Sequence, residues 1–171
     1  MSILDWFAKR EFKRQEPKSR QSYPGWEQSS RIGIYFEVSP MAGEEWKSWR
    51  DLFKKEGKEV ELLCYQSVKR KELAPDWTIP SYCKDERNLL GFPRSSNAKR
   101  FKAQDFDILL DLSSSEDRHH EAIFRGSKAK LKVAFHPQRR AWSDLQVNCK
   151  ELKNTRACQE EILALLKFIN A

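Results

Sequence analysis

Glycine is scarce in this chain, with 6 among 171 residues, and none of the six falls into G-x-G-x-x-G or G-x-x-x-x-G-K. The usual glycine cradles for a dinucleotide or a nucleoside triphosphate are therefore excluded. G-x-S-x-G and H-E-x-x-H are missing too, which removes the nucleophile elbow and the two-histidine zinc helix. Four cysteines, Cys64, Cys83, Cys149 and Cys158, include no C-x-x-C pair, so reduced thiols in a reducing, cytoplasmic setting are expected. No apolar run approaches the 18 residues of a membrane span, and charges follow Trp6 and Phe7 too soon for a secretory leader.

Charge, by contrast, is plentiful. Charged residues make up 33% of the chain, and 32 Lys and Arg against 25 Asp and Glu leave a formal net charge of +7. Such a balance favours anionic partners through long-range steering. The basic residues are spread along the chain without a long cationic tail, as on an ordinary solvated surface.

Residues 1 to about 15 place Ile3, Leu4, Phe7 and Phe12 at helical spacing between Lys9, Arg10, Lys13 and Arg14, which predicts a short amphipathic helix. Its basic face is diluted by Asp5, Glu11 and Glu16, so docking on the domain or on a protein partner is preferred to a membrane surface. Residues 16–30, with Pro17, Pro24, Gly25 and several Ser and Gln, read as a linker. Thus 1–30 is expected to be an arm and linker, and 31–171 a single domain.

Arg31 to Val38 is apolar on both faces and predicts a strand inside a sheet. A turn at Ser39 to Gly43 leads to a helix over 44–56 with Trp46, Trp49 and Phe53 as its buried stripe, closed by Gly57. A second strand follows at 59–66, and this strand, helix, strand order predicts a right-handed βαβ unit. Over 67–104, Pro75, Pro80 and Pro93 break every periodic pattern. One short strand near 78–82 and irregular packing on the body are expected there. Phe106 to Leu112 predicts a third strand, after which Ser113, Ser114 and Ser115 with Glu116 and Asp117 look like the capped start of a helix. Leu131 to Phe135, between lysines and before Pro137, suggests a strand near the sheet edge. A further edge strand over 145–149 and a closing helix over about 155–169 complete the pattern.

In an open parallel sheet, ligands bind beyond the carboxyl ends of strands where the chain order reverses. If the strands at 31–38 and 106–112 are neighbours, that crevice is walled by Ser39 to Gly43 and by Ser113 to Asp117. Ser39, Gly43, Glu44, Asp111, Ser113, Ser114 and Ser115 are accordingly the candidate ligand residues, for a phosphate or carboxylate held by hydroxyls and helix amides. The competing reading is that the serines only cap a helix whose positive end Glu116 and Asp117 already occupy. Asp107 and Asp111, four apart on one strand, are carboxylates for acid or base work, or simple acceptors of backbone amides. His119 and His120 are adjacent, so on a helix they diverge by about 100°. With no acid at metal spacing beside them, neither metal nor cofactor is expected. Lys99 to Lys102 around Phe101, and Arg139, Arg140 and Trp142, interleave bases with aromatics but match no nucleic-acid module.

The order of segments over roughly 31–169 resembles a family of small uncharacterised bacterial proteins known only as a domain of unknown function. The resemblance lies in the first strand, in Asn88-Leu89-Leu90-Gly91-Phe92-Pro93, and in Phe106 to Leu112 with Ser127-Lys128-Ala129-Lys130 ahead of the next strand. The later pieces are also distantly similar to the acceptor-side half of heptosyltransferases. In those enzymes a Gly-Asp pair after the first strand carries a catalytic acid, and Gly43-Glu44 is the nearest match. The chain has no second domain for a nucleotide sugar, so transferase activity is not implied.

The fold expected is a three-layer, Rossmann-like α/β domain with a mostly parallel sheet of about five strands flanked by helices. The leading functional expectation is a non-enzymatic interaction or regulatory module. The alternatives are a ligand binder or enzyme using the crevice, and a weak non-specific binder of nucleic acid or anionic surfaces.

Overall fold

The computed structural model describes residues 3–38, 45–147 and 156–169. Among them, eleven regular elements run α1 (Ile3–Gln15), β1 (Arg31–Val38), α2 (Glu45–Lys55), β2 (Glu59–Gln66), β3 (Ser81–Cys83), α3 (Ser96–Ala103), β4 (Ile108–Asp111), α4 (Arg118–Gly126), β5 (Leu131–Ala134), β6 (Leu145–Gln146) and α5 (Arg156–Phe168). The strands form one sheet in the order β3-β2-β1-β4-β5-β6, and every pairing is parallel. The reversal of strand order falls between β1 and β4, where Ile32 to Tyr35 register with Ile108 to Asp111.

Alternation along the strands sorts the core into two layers. Ile32, Ile34, Phe36, Cys64, Ile108, Leu110 and Val133 face Trp49 and Phe53 of α2 and Cys158, Ile162 and Leu166 of α5. Tyr35, Leu63, Tyr65, Tyr82, Leu109 and Ala134 face Ala98 and Phe101 of α3 and Ile123 and Phe124 of α4. Two glycines are required by geometry. Gly33 on β1 lets the Phe106 ring cross it, since a Cβ there would stand 2.8 Å from that ring, and Gly57 takes φ +77° to end α2.

The expected Rossmann-like α/β architecture is met, with six strands where about five were expected and every pairing parallel. β5 stands nearer the edge, as expected, with β6 as the edge strand outside it. Lys132 within it is nonetheless 3% exposed and donates to the Arg125 carbonyl at 3.1 Å. The short strand lies at 81–83, and α3, capped by Ser95 through the amide of Ala98, occupies the stretch expected to be irregular. The expected extension of β6 beyond Val147 falls outside the described residues.

Residues 3–29 pack on the body. Ala8 and Phe12 of α1 meet Phe92 and Ala122, Asp5 and Glu16 pair with Arg118 and Arg125, and Tyr23 and Trp26 enter the α2 side of the core. No described helix is long and apolar enough to cross a membrane.

Lys132 makes a pH prediction. Burial pushes its ammonium down to about 8, so between about pH 8 and the unfolded value near 10.4 the unfolded chain binds more protons than the folded one. The unfolding free energy is expected to rise with pH across that window. Denaturant titrations should show this rise in the wild type and a flatter profile in Lys132→Met; equal slopes would contradict the assignment.

Candidate functional site

The carboxyl end of β1 delivers Tyr35 and Glu37 to the α4 side of the sheet, β2 delivers Tyr65, β3 delivers Tyr82, and β4 ends on Asp111. The first turn of α4 turns His119 and His120 inward over them. Tyr35, Tyr82, Asp111, His119 and His120 are all buried. Helix α4 begins at Arg118 with Asp117 in the N-cap position, and the Asp117 side chain makes no capping bond. The expected start among Ser113 to Ser115 is therefore displaced toward the carboxyl end, because Ser113 and Ser114 serve the sheet's acids instead, while the Ser115 hydroxyl accepts from the Asp117 amide at 3.4 Å.

Ser113 donates through its amide and hydroxyl to Asp111 Oδ1 at 2.9 and 2.6 Å. Ser114 donates its amide to Glu37 at 2.8 Å, and its hydroxyl bonds the same carboxylate. The carbonyl of Ser115 accepts from Arg139 Nη2 at 3.0 Å. Arg139, 1% exposed, also donates through Nε to Asp111 Oδ2 at 3.1 Å. The donors expected to hold a ligand anion are thus satisfied by the chain's own carboxylates. Asp107 sits at the opposite, amino end of the sheet. Burial pushes its carboxyl up, but Lys130 and the amides of Arg31 and Ser30 outweigh this and hold it low. Ser39, Gly43 and Glu44 lie outside the described residues.

A chain of hydrogen bonds crosses the cluster. His119 Nδ1 lies 3.0 Å from the Tyr82 hydroxyl, that hydroxyl 2.6 Å from the Tyr35 hydroxyl, and that one 2.5 Å from His120 Nδ1. Beyond the imidazoles stand two carboxylates, Asp117 Oδ2 at 3.3 Å from His119 Nε2 and Glu37 Oε2 at 3.2 Å from His120 Nε2. The second contact is close but not aligned as a hydrogen bond, and His120 Nε2 is left buried without a directed partner. Contact with His120 lowers the Glu37 carboxyl to about 2, against the effect of its burial and with help from Ser114. Burial pushes His119 down to about 2, with His120 and Arg87 adding to the shift, so its imidazole is neutral. Burial raises both Tyr35 and Tyr82 well above the ordinary phenol value, so both carry their protons.

The expectation that adjacent histidines point apart is corrected. Their ring centroids are 4.0 Å apart, because each side chain leans toward a different tyrosine of one row. Asp117, His119 and His120 bring ligand-capable atoms within 4.8 Å of one another, so an acid does stand beside the histidines. A hollow of about 340 Å³ opens over His119, lined also by Asp117, Arg118, Arg87, Leu89, Leu90 and Gly91. Arg87 lies over the Tyr65 ring at 5.6 Å.

Glu37, Tyr35, Tyr82, Arg87, Asp117 and Arg139 were missed as site residues in the sequence. A signal existed for the tyrosines, since Tyr35 and Tyr65 alternate onto one strand face. None existed for Tyr82, which follows Pro80 in a stretch without period. The aromatic and basic pieces suggested for nucleic acid are partly internal, with Phe101 and Arg139 buried.

The strand order and the polar cluster at the carboxyl edge together define a Rossmann-like α/β protein. Over residues 2–169 the chain matches the model of a family of unknown function (DUF6913), and it belongs to that family. No curated protein and no solved structure matches the chain.

Proposed function

We propose that this protein is a binding module for a small phosphate- or carboxylate-bearing molecule, which it takes up in the hollow over His119. The observation that carries the reading is the lining of the hollow by two arginines, Arg87 and Arg118, the second of them paired with Asp5, beside a buried imidazole at the carboxyl edge. Ligand sites on this fold concentrate at that edge, and a volume of about 340 Å³ is enough for a small metabolite. Five buried polar side chains contribute little to stability that apolar ones would not supply, which favours a functional reason for the cluster. The module acts by binding rather than as an enzyme. Among the described residues the buried cysteines Cys64, Cys83 and Cys158 form no disulfide, which suits a reducing, cytoplasmic setting.

Thermal unfolding of the full chain tests this against inorganic phosphate, pyrophosphate, sugar phosphates, nucleotides and dicarboxylates. At least one class is expected to raise the melting temperature by more than about 2 °C, and Arg87→Ala is expected to abolish that shift. A panel without effect on the wild type, or a shift that survives Arg87→Ala, would contradict the proposal.

A second reading has its own support. Ile3, Leu4, Trp6 and Phe7 of α1 are exposed, Ile3 at 74%, although Ala8 and Phe12 already dock the helix. That apolar strip suits a protein partner, and Leu4→Glu with Phe7→Glu, both on the exposed side of α1, would then abolish co-purification of the partner without changing the response to anions.

A further inference from the structure

We infer that Asp117, His119 and His120 hold a divalent transition-metal ion at the floor of the hollow, and that the anionic ligand binds to this ion. The inference deepens, and rests on, the reading of the hollow as a ligand site.

Two imidazoles and a carboxylate form a donor set suited to zinc, manganese, iron, cobalt or nickel. Their ligand atoms already lie within 4.8 Å of one another. Asp117 Oδ2 and His119 Nε2 are 3.3 Å apart, and the edge of a tetrahedron with bonds of 2.0 to 2.1 Å is also about 3.3 Å. The Nδ1 atoms of both histidines are engaged by tyrosine hydroxyls, the outer-shell contact that orients a ligating imidazole; the three contacts of the row hold three protons, so a metal on both Nε2 atoms displaces one proton from the row as it binds. An independent observation comes from His120 Nε2, which is buried and lacks a directed hydrogen bond although Glu37 is 3.2 Å away. A metal ion would satisfy that atom, and the Glu37 carboxylate beside it would add favourable charge. Three protein ligands leave a fourth position open. The hollow with Arg87 and Arg118 adjoins it, so an oxyanion could bind metal and guanidinium together.

The test is calorimetric and elemental titration of the chelator-treated full chain with Zn²⁺, Co²⁺, Mn²⁺ and Ni²⁺. One equivalent per chain is expected for at least one ion, with affinity at least about tenfold weaker in His119→Ala and His120→Ala and unchanged in the control His136→Ala. Because those two histidines are buried and their loss could unfold the chain, Asp117→Asn is decisive. Its side chain is 65% exposed, so the variant should keep the wild-type circular dichroism while losing the metal. Absence of stoichiometric binding, or binding that Asp117→Asn leaves intact, overturns the inference. If the metal fails but the phosphate or carboxylate shift persists, the ligand reading stands alone. If the metal binds and no anion responds, the site is a metal site and the ligand reading falls.

Discussion

Arg139→Met is expected to destabilise the protein by about 3–5 kcal/mol, because it leaves the Asp111 carboxyl in the interior without its cationic partner. Asp111 is fully buried and Arg139 nearly so, and their 3.1 Å contact spans from the end of β4 to the turn at Pro137–Ala141. Two donors from Ser113 would remain on Asp111 Oδ1, but Oδ2 would lose the Arg139 Nε–H that donates to it. For a chain of this size each kcal/mol lowers the melting point by about 2–4 °C, so a fall of roughly 6–20 °C is expected by calorimetry. The double variant Asp111→Leu/Arg139→Met removes both charges and should recover most of the loss. A single variant within 2 °C of wild type would show that the pair is not the buried interaction described.

Trp49→Ala has an expected cost of the same size, about 3–5 kcal/mol, from a different cause. The Trp49 indole is fully buried between Phe53 at 5.9 Å and Phe135 at 5.8 Å, where it joins α2 to the sheet. Truncation removes apolar contacts and leaves a cavity that the sheet cannot close. The loss lies on the face opposite the tyrosine and histidine row. Urea unfolding should therefore show a lower midpoint, while ligand and metal affinities measured at 15 °C on the folded protein stay at wild-type values. A change in affinity without a change in stability would reverse that assignment.

The architecture was largely legible in the sequence because its signals are local or repetitive. Ile32, Ile34 and Phe36 against Ile108 and Leu110 announce strands with two covered faces. The expectation that these strands run side by side in the same direction is met by their parallel register. Trp46, Trp49 and Phe53 marked α2, and Gly57 its end. What stayed hidden depends on long-range placement. Nothing local in Ser81-Tyr82-Cys83 says that it extends the sheet beyond β2. Lys132 looks like an exposed residue until the carbonyl of Arg125 is brought to it.

The site was legible as a place and not as a set of residues. Strand order located it at the ends of β1 and β4, and Asp111, Ser113 and Ser114 are indeed gathered there. The serines, however, spend their donors on Asp111 and Glu37. Which side chains remain for a ligand was decided by Tyr82 and Arg87, from the stretch without a period, and by the lean of two neighbouring imidazoles toward two different tyrosines. Helical geometry fixes where their Cα atoms sit, but side-chain torsions decide where the nitrogens meet.

Anomalous diffraction from crystals grown with Zn²⁺ or Mn²⁺ and inorganic phosphate tests most directly whether this edge is a working site. A peak at the metal's absorption edge is expected between the Asp117 carboxylate and the Nε2 atoms of His119 and His120, with phosphate on its open side toward Arg87. Ordered crystals at full metal loading that show no peak there, with His119 still against Asp117 and His120 still against Glu37, would contradict the account.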